Sequence, residues 1–393
     1  ERRPDSTTPS SNDPAPALER RAHADDDVKV VLEPRWAAPL GSCVDAAPLL
    51  RNGVVYAGSQ DAGVHAVDVR NGDVRWTAGL RPGEPEEAAL EAGAVVVEDM
   101  VVAATVAGVA YGVEATTGAR SWTRNVGGAV AGDVVMIGTD AIVADGGSYV
   151  RRLGAKTGDE RWSTSLAAGP VAAAPVVAGG AIIVVATTDG VAAALDADTG
   201  EVRWRCSALD GAPPVFAAPA LLRGLVVFAG VDGACAARSV DRGELSWTRS
   251  AGRAVFAAPI AWPRARRFVV AAVDGSIACY RADDGKDAWV ARADAGAPVR
   301  AAPALFGLDG RALLGVACCS GLVRIFDADD GVRLAALDLG APLFARPVVF
   351  VDGAAAVLLC GARDETLRAV GVAFSRRPAR TGRVRRRVGG KAL

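Results

Sequence analysis

Short apolar runs recur along this 393-residue chain, most of them alternating apolar with small or polar positions and closed by Gly, Asp or Asn. In "VVYAGSQDAGVHAVDVRNGDVRW" one run covers 54–58, a turn follows at 61–63, a second run covers 64–69, and a turn at Asn71 and Gly72 leads to a third that carries Trp76. Period-two runs of this length between such turns predict antiparallel strands in a meander, not helices. A further strand is expected at "VDAAPLL", 44–50.

The last strand of each group carries a tryptophan four residues after a turn glycine: Gly72 and Trp76, Gly118 and Trp122, Gly158 and Trp162, Gly200 and Trp204, Gly243 and Trp247, Gly285 and Trp289. Successive tryptophans lie 46, 40, 42, 43 and 42 residues apart. Four strands in about forty residues is the unit of a β-propeller blade. A seventh turn glycine, Gly331, is followed by Ala335 where the tryptophan would stand, and one tryptophan, Trp36, lies 40 residues before Trp76. Pairing the strand that holds Trp36 with the last repeat brings the count to eight and leaves no sheet edge open. The expected fold is therefore an all-β, eight-bladed propeller over 28–373, closed by its N-terminal strand. Residues 1–27, rich in Pro, Ser, Asp and Arg, are expected to be a disordered linker, and the basic 374–393 a flexible tail.

Each turn glycine supplies a positive φ, and each indole is placed to lie flat on the neighbouring blade with its N–H in reach of a carbonyl. A second phrase, Ala-Ala-Pro, ends at Pro48, Pro175, Pro219, Pro259 and Pro303, with Arg346-Pro347 in the last unit. Small residues before a strand are expected to pack where blades converge.

With 51% hydrophobic residues the chain can bury a large core, and a formal net charge of −1 offers no overall field for nucleic acid or an anionic membrane. Seven cysteines with no C-x-x-C pair point to reduced thiols rather than a disulfide framework or a zinc site. The chain reads as a piece of a larger cytosolic polypeptide, expected to be monomeric.

The fullest repeat, "IIVVATTDGVAAALDADTGEVRW", resembles that of the pyrroloquinoline-quinone-type propellers, a superfamily holding quinoprotein alcohol dehydrogenases, an outer-membrane assembly lipoprotein and non-catalytic domains of larger enzymes. The match covers 30 to about 372. More narrowly, "LEPRWAAPLGSCVDAAPLL", "VRAAPALF", "LFARPVVF" and "LLCGARDETLRAVGV" resemble the C-terminal propeller of the beta-alanine-activating branch of the acyl-CoA synthetase family. That resemblance implies a parent that uses ATP, Mg and a phosphopantetheine carrier to activate an amino acid, with this chain as a non-catalytic scaffold. Its partner would be the carrier or adenylation domain of the same polypeptide, or another protein. No adenylation or carrier-serine motif occurs here, so no catalytic, cofactor or metal residue is assigned to this chain. The missing tryptophan at Ala335 and the loose unit "MIGTDAIVADGGSYVRRLGAKTG" suggest a diverged copy.

Two rival readings set the remaining candidates. A quinone-dependent dehydrogenase would carry a vicinal disulfide and a calcium site, which draws attention to Cys318 and Cys319; both are expected within one strand, pointing to opposite faces. An outer-membrane assembly factor would carry a lipoprotein signal upstream. Asp196, Asp198, Asp327, Asp329 and Asp330 hint at calcium loops but lack the rest of the ligand set, and turn chemistry explains them. Of two histidines, His23 falls in the linker and His65 is expected partly exposed on a strand. No phosphate-cradling glycine loop occurs.

Overall fold

The first repeat folds into one antiparallel sheet of Leu49–Arg51, Val54–Gly58, Gly63–Asp68 and Val74–Gly79, in that spatial order. The computed structural model describes residues 28–61, 63–79, 89–293 and 298–376, in which eight such four-stranded sheets follow one another. They form the larger of two compact units, Val30–Phe374. The expected linker at 1–27 and nearly all of the expected tail lie outside the described residues.

The sheets are arranged radially. First strands of neighbouring sheets touch in turn, from Leu49–Arg51 and Val95–Val97 round to Val348–Asp352, which returns to Leu49–Arg51. This closed inner circle makes each blade's second strand a slab with a neighbour on both faces. Val54–Gly58, Met100–Ala104, Asp140–Ala144 and Ile182–Ala186 are accordingly buried at every position. The apolar clusters lie between blades: one joins Val184 and Ala194 to Val226 and Phe228, another Tyr56 and Ala66 to Val101 and Tyr111.

The indoles set the spacing. Trp36, Trp76, Trp122, Trp162, Trp204, Trp247 and Trp289 donate Nε1–H to the carbonyls of Val69, Ala115, Ala155, Ala197, Val240, Ala282 and Ala328, each in the next blade, at 2.7–3.1 Å. Each ring also rests on the turn glycine of that blade: a Cβ on Gly72, Gly118, Gly158, Gly200, Gly243, Gly285 or Gly331 would come within 2.6–2.8 Å of the indole. Beside every one of these turns the ladder between third and fourth strands slips by one residue, a bulge that adds twist where the indole leaves the sheet.

Blade eight is built from both chain ends. Val28–Pro39 pairs with Thr366–Arg376, outside Ala355–Gly361 and Val348–Asp352. Its third and fourth strands thus have no turn between them and no turn glycine. An indole from blade seven would have nothing to rest on, which is why Ala335 stands there. The gap in the repeat follows from the way the ring closes, and is not a sign of divergence.

Three expectations change. Of the 44–50 stretch only Leu49 and Leu50 are in a strand, Leu49–Arg51, because the Val44 N–H bonds to Ala362 O in blade eight and Pro48 has no N–H for a ladder. Cys318 and Cys319 follow the end of Arg311–Ala317, in the turn rather than the strand. His65 is buried, 4% exposed, since the blade beside it covers the face that alternation would leave to water.

Candidate functional site

The segments that lead into the eight first strands line one cavity around the ring axis, with a volume of about 520 Å³. Aligned by blade they read VDAAP (44–48), LEAGA (90–94), VAGDV (130–134), VAAAP (171–175), VFAAP (215–219), VFAAP (255–259), VRAAP (299–303) and LFARP (343–347). First and third positions are buried in every blade, whereas second and fourth positions line the cavity in every blade. The Ala-Ala-Pro phrase is therefore only half packing: its first residue fills space between blades and its second faces the axis.

Backbone bonds hold these segments extended. In five blades the first-position N–H bonds to a carbonyl of the preceding blade: Val44 to Ala362, Leu90 to Ser59, Val130 to Thr105, Val171 to Asp145 and Val255 to Gly230. The carbonyl just before accepts from the hairpin of its own blade, in all eight cases from Gln60 to Cys43 O through Arg363 to Pro342 O. A chain fixed in this way presents alternate side chains to the axis. Alanine at most fourth positions keeps the cavity open, and proline at the fifth is tolerated on a strand with no partner on its inner side.

The second and fourth positions differ between blades, and there the charges stand. Asp45 in blade one is neutralised: Arg363 grips both carboxylate oxygens at 2.9–3.1 Å, Gln60 donates to it at 2.9 Å, and the guanidinium lies 3.9 Å over the Phe344 ring. Asp133 in blade three accepts the Gly93 N–H at 2.7 Å, and Glu91 in blade two has no ion pair among the described residues. Arg300 in blade seven lies 5.4 Å over the Phe256 ring, and neither it nor Arg346 in blade eight has a carboxylate partner among the described residues. Phe216 and Phe256 pack at 5.9 Å on the arc between. In a ring of eight, blades three and seven are opposite, so Asp133 lies across the axis from Arg300.

The other candidates are structural. The Asp196 carboxylate accepts the N–H groups of Asp198 and Thr199, Asp327 accepts from Asp329, and Asp330 accepts from Val332, all as turn caps. The Arg203 guanidinium beside Asp196 holds that carboxyl well below its usual range. Ser59 Oγ and Thr77 Oγ1 hold His65 at 2.8 and 3.0 Å, and Ser59 in turn bonds to Asp61, within a blade and away from the axis. All seven cysteines remain thiols; burial pushes Cys235, Cys279 and Cys360 up to about 12 and raises Cys206 and Cys319. Among the described residues no three or more of His, Cys, Asp and Glu are grouped to hold a metal ion, and no helix is long and apolar enough to cross a membrane.

Sequence reasoning missed the second-position ring. Positions that hold acidic, small, aromatic and basic residues in turn do not register as a repeat; only the alignment of the eight segments on their buried first and third positions shows that Glu91, Phe216, Phe256 and Arg300 are equivalent.

Solved structures of the same shape share little sequence with this chain. BamB from Moraxella catarrhalis superposes with a TM-score of 0.69 at 16% identity, covering 86% of this chain and 99% of its own. The computationally designed Ika8 protein gives 0.70 at 16% identity, covering 84% and 98%. Quinohemoprotein alcohol dehydrogenase from Comamonas testosteroni gives 0.69 at 14% identity, covering 88% and 77%. At these identities the likeness is one of fold. No curated protein matches the sequence. The family described as "Beta-alanine-activating enzyme, beta-propeller" matches residues 40–372, the ring almost from end to end, and the chain belongs to it.

Proposed function

We propose that this propeller is a non-catalytic binding module of an ATP-dependent amino-acid-activating ligase, acting in the cytosol as one arm of a polypeptide that also carries adenylation and phosphopantetheine-carrier regions. ATP, Mg and phosphopantetheine serve those regions; the propeller receives what the carrier delivers. The observation that carries this reading is the axial cavity, to which all eight blades of a chain in this family contribute and where Glu91, Arg300 and Arg346 have no ion-pair partner among the described residues. A ring whose lining varies from blade to blade suits ligand recognition.

In the parent polypeptide, removal of the propeller should leave amino-acid-dependent ATP–pyrophosphate exchange and thioester loading intact while suppressing transfer to the acceptor. Loss of the exchange reaction itself would count against a separate binding module. A quinone-dependent dehydrogenase is the rival reading. It has its own assay: the purified chain, given pyrroloquinoline quinone and calcium, should support no dye-linked alcohol oxidation, and stoichiometric quinone binding with dye reduction would reverse the ranking.

A further inference from the structure

We infer that the axial cavity binds a dipolar ligand, an ammonium group joined by a flexible chain to a carboxylate or phosphate, with the ammonium at Glu91 and Asp133 and the anion at Arg300 and Arg346. This deepens the binding-module reading above and takes its site from it.

The charges are segregated by blade. The two acids stand in the adjacent blades two and three, and the two arginines in the adjacent blades seven and eight, all four lining one cavity. Between them on one side lies blade one, whose Asp45 is already satisfied by Arg363; on the other lie the phenyl rings of Phe216 and Phe256. Were these charges only a solubilising fringe, nothing would keep the two signs apart, and mixed signs would be the cheaper layout. Held on separate arcs by backbone bonds, with Asp133 directly across from Arg300, they leave a field directed across the axis, and such a field selects and orients a molecule with charge at both ends.

Other ligand classes fit less well. A nucleic acid or a purely anionic ligand would meet Glu91 and Asp133, and a purely cationic one would meet the arginines. The volume of about 520 Å³ falls within the range of small-molecule pockets. Phe216, 43% exposed, gives the methylene or amide linker of such a ligand an apolar wall beside the charges.

This chemistry has two sources, a free ω-amino acid and an aminoacyl arm carried on phosphopantetheine, and titration calorimetry on the purified 393-residue chain separates them. The probes are β-alanine and the amide analogue of β-alanyl-4′-phosphopantetheine. Each is matched by single-ended relatives: propionate and propylamine for the first, and the forms lacking amine or phosphate for the second. Binding of either dipolar probe, weakened about tenfold or more in its single-ended relatives and in Arg300→Gln and Asp133→Asn, is the expected result. The probe that binds names the source. Absence of binding by both probes, or affinity that is indifferent to charge ends and to both substitutions, overturns the inference. Unchanged melting temperatures show that the variants fold, since Arg300 is exposed and the asparagine retains an acceptor for the Gly93 N–H. Probe binding without any effect of propeller removal on transfer would sink the scaffold reading alone; loss of transfer without probe binding would sink this inference alone.

Discussion

At seven of the eight junctions a glycine with positive φ and the indole that rests on it form one part of the contact between blades, and two glycines separate the parts of its energy. Gly331 has φ +75°, and a Cβ there would meet Trp289 at 2.6 Å; Gly353 has φ +62° and nothing within 4 Å. Gly353→Ala should cost about 1–2 kcal/mol, the price of a left-handed backbone alone. Gly331→Ala should cost roughly 1–3 kcal/mol more, because a docked ring cannot yield as a free side chain does. Trp289→Ala, which removes a ring only 4% exposed, should cost about 3–5 kcal/mol. Urea midpoints rank the three, and equal losses at Gly331 and Gly353 would show that the glycines serve the turn and not the indole. His65 gives a pH dependence at the same scale. Burial holds its pKa below the ordinary value, with Asp61 opposing. As pH falls through about 6.5 the unfolded chain takes up this proton and the folded chain resists, so stability present above that pH declines towards the lower folded pKa. The urea midpoint should drop between pH 7.5 and 5.5, and the drop should shrink in His65→Gln; an equal drop in both proteins would place the proton elsewhere.

At the scale of elements, the fourth strands were the most legible part of the chain, because the glycine–tryptophan spacing repeats whatever else varies. Pairing of Val28–Pro39 with Thr366–Arg376 was legible too, from one tryptophan left over at one end and one strand short at the other. What was not legible depended on knowing which faces are covered. Alternation is a guide to burial in a sheet with one wet face; the second and third strands of a blade have none, so His65 looked half exposed and is not. The 44–48 stretch looked like the start of a strand because its composition is that of one, yet its hydrogen bonds run to the neighbouring blade and its alternate residues face the axis. The candidate site was hidden for the same reason, since its charged residues occupy positions whose equivalence is set by packing and not by identity.

For the whole molecule, the ring has one seam unlike the rest. Seven blade junctions carry an indole N–H bonded across them; between blades seven and eight no indole crosses, and one apolar cluster joins the two, with Arg368 donating to the Leu339 carbonyl and the Arg311 guanidinium 5.6 Å over the Phe374 ring. Blade eight is also the one blade whose strands come from both chain ends, tied to blade one by Trp36 and by the Arg363–Asp45 pair. Opening there breaks no indole hydrogen bond and interrupts no blade made from a single continuous segment, so local unfolding should begin at that seam. Native-state hydrogen exchange should therefore find the amides of Val28–Pro39 and Thr366–Arg376 the least protected of the strand amides. Those of Ile182–Ala186, with tryptophan junctions on both sides, should be among the slowest. Trp36→Ala should speed exchange in blade eight while leaving Ile182–Ala186 near its original rate; equal protection around the ring would mean that the indoles do not grade the junctions. The seam also separates Arg300 from Arg346, so the two cations that would hold an anion sit on the blades freest to part, and a ligand gripping both would close the weakest point of the ring.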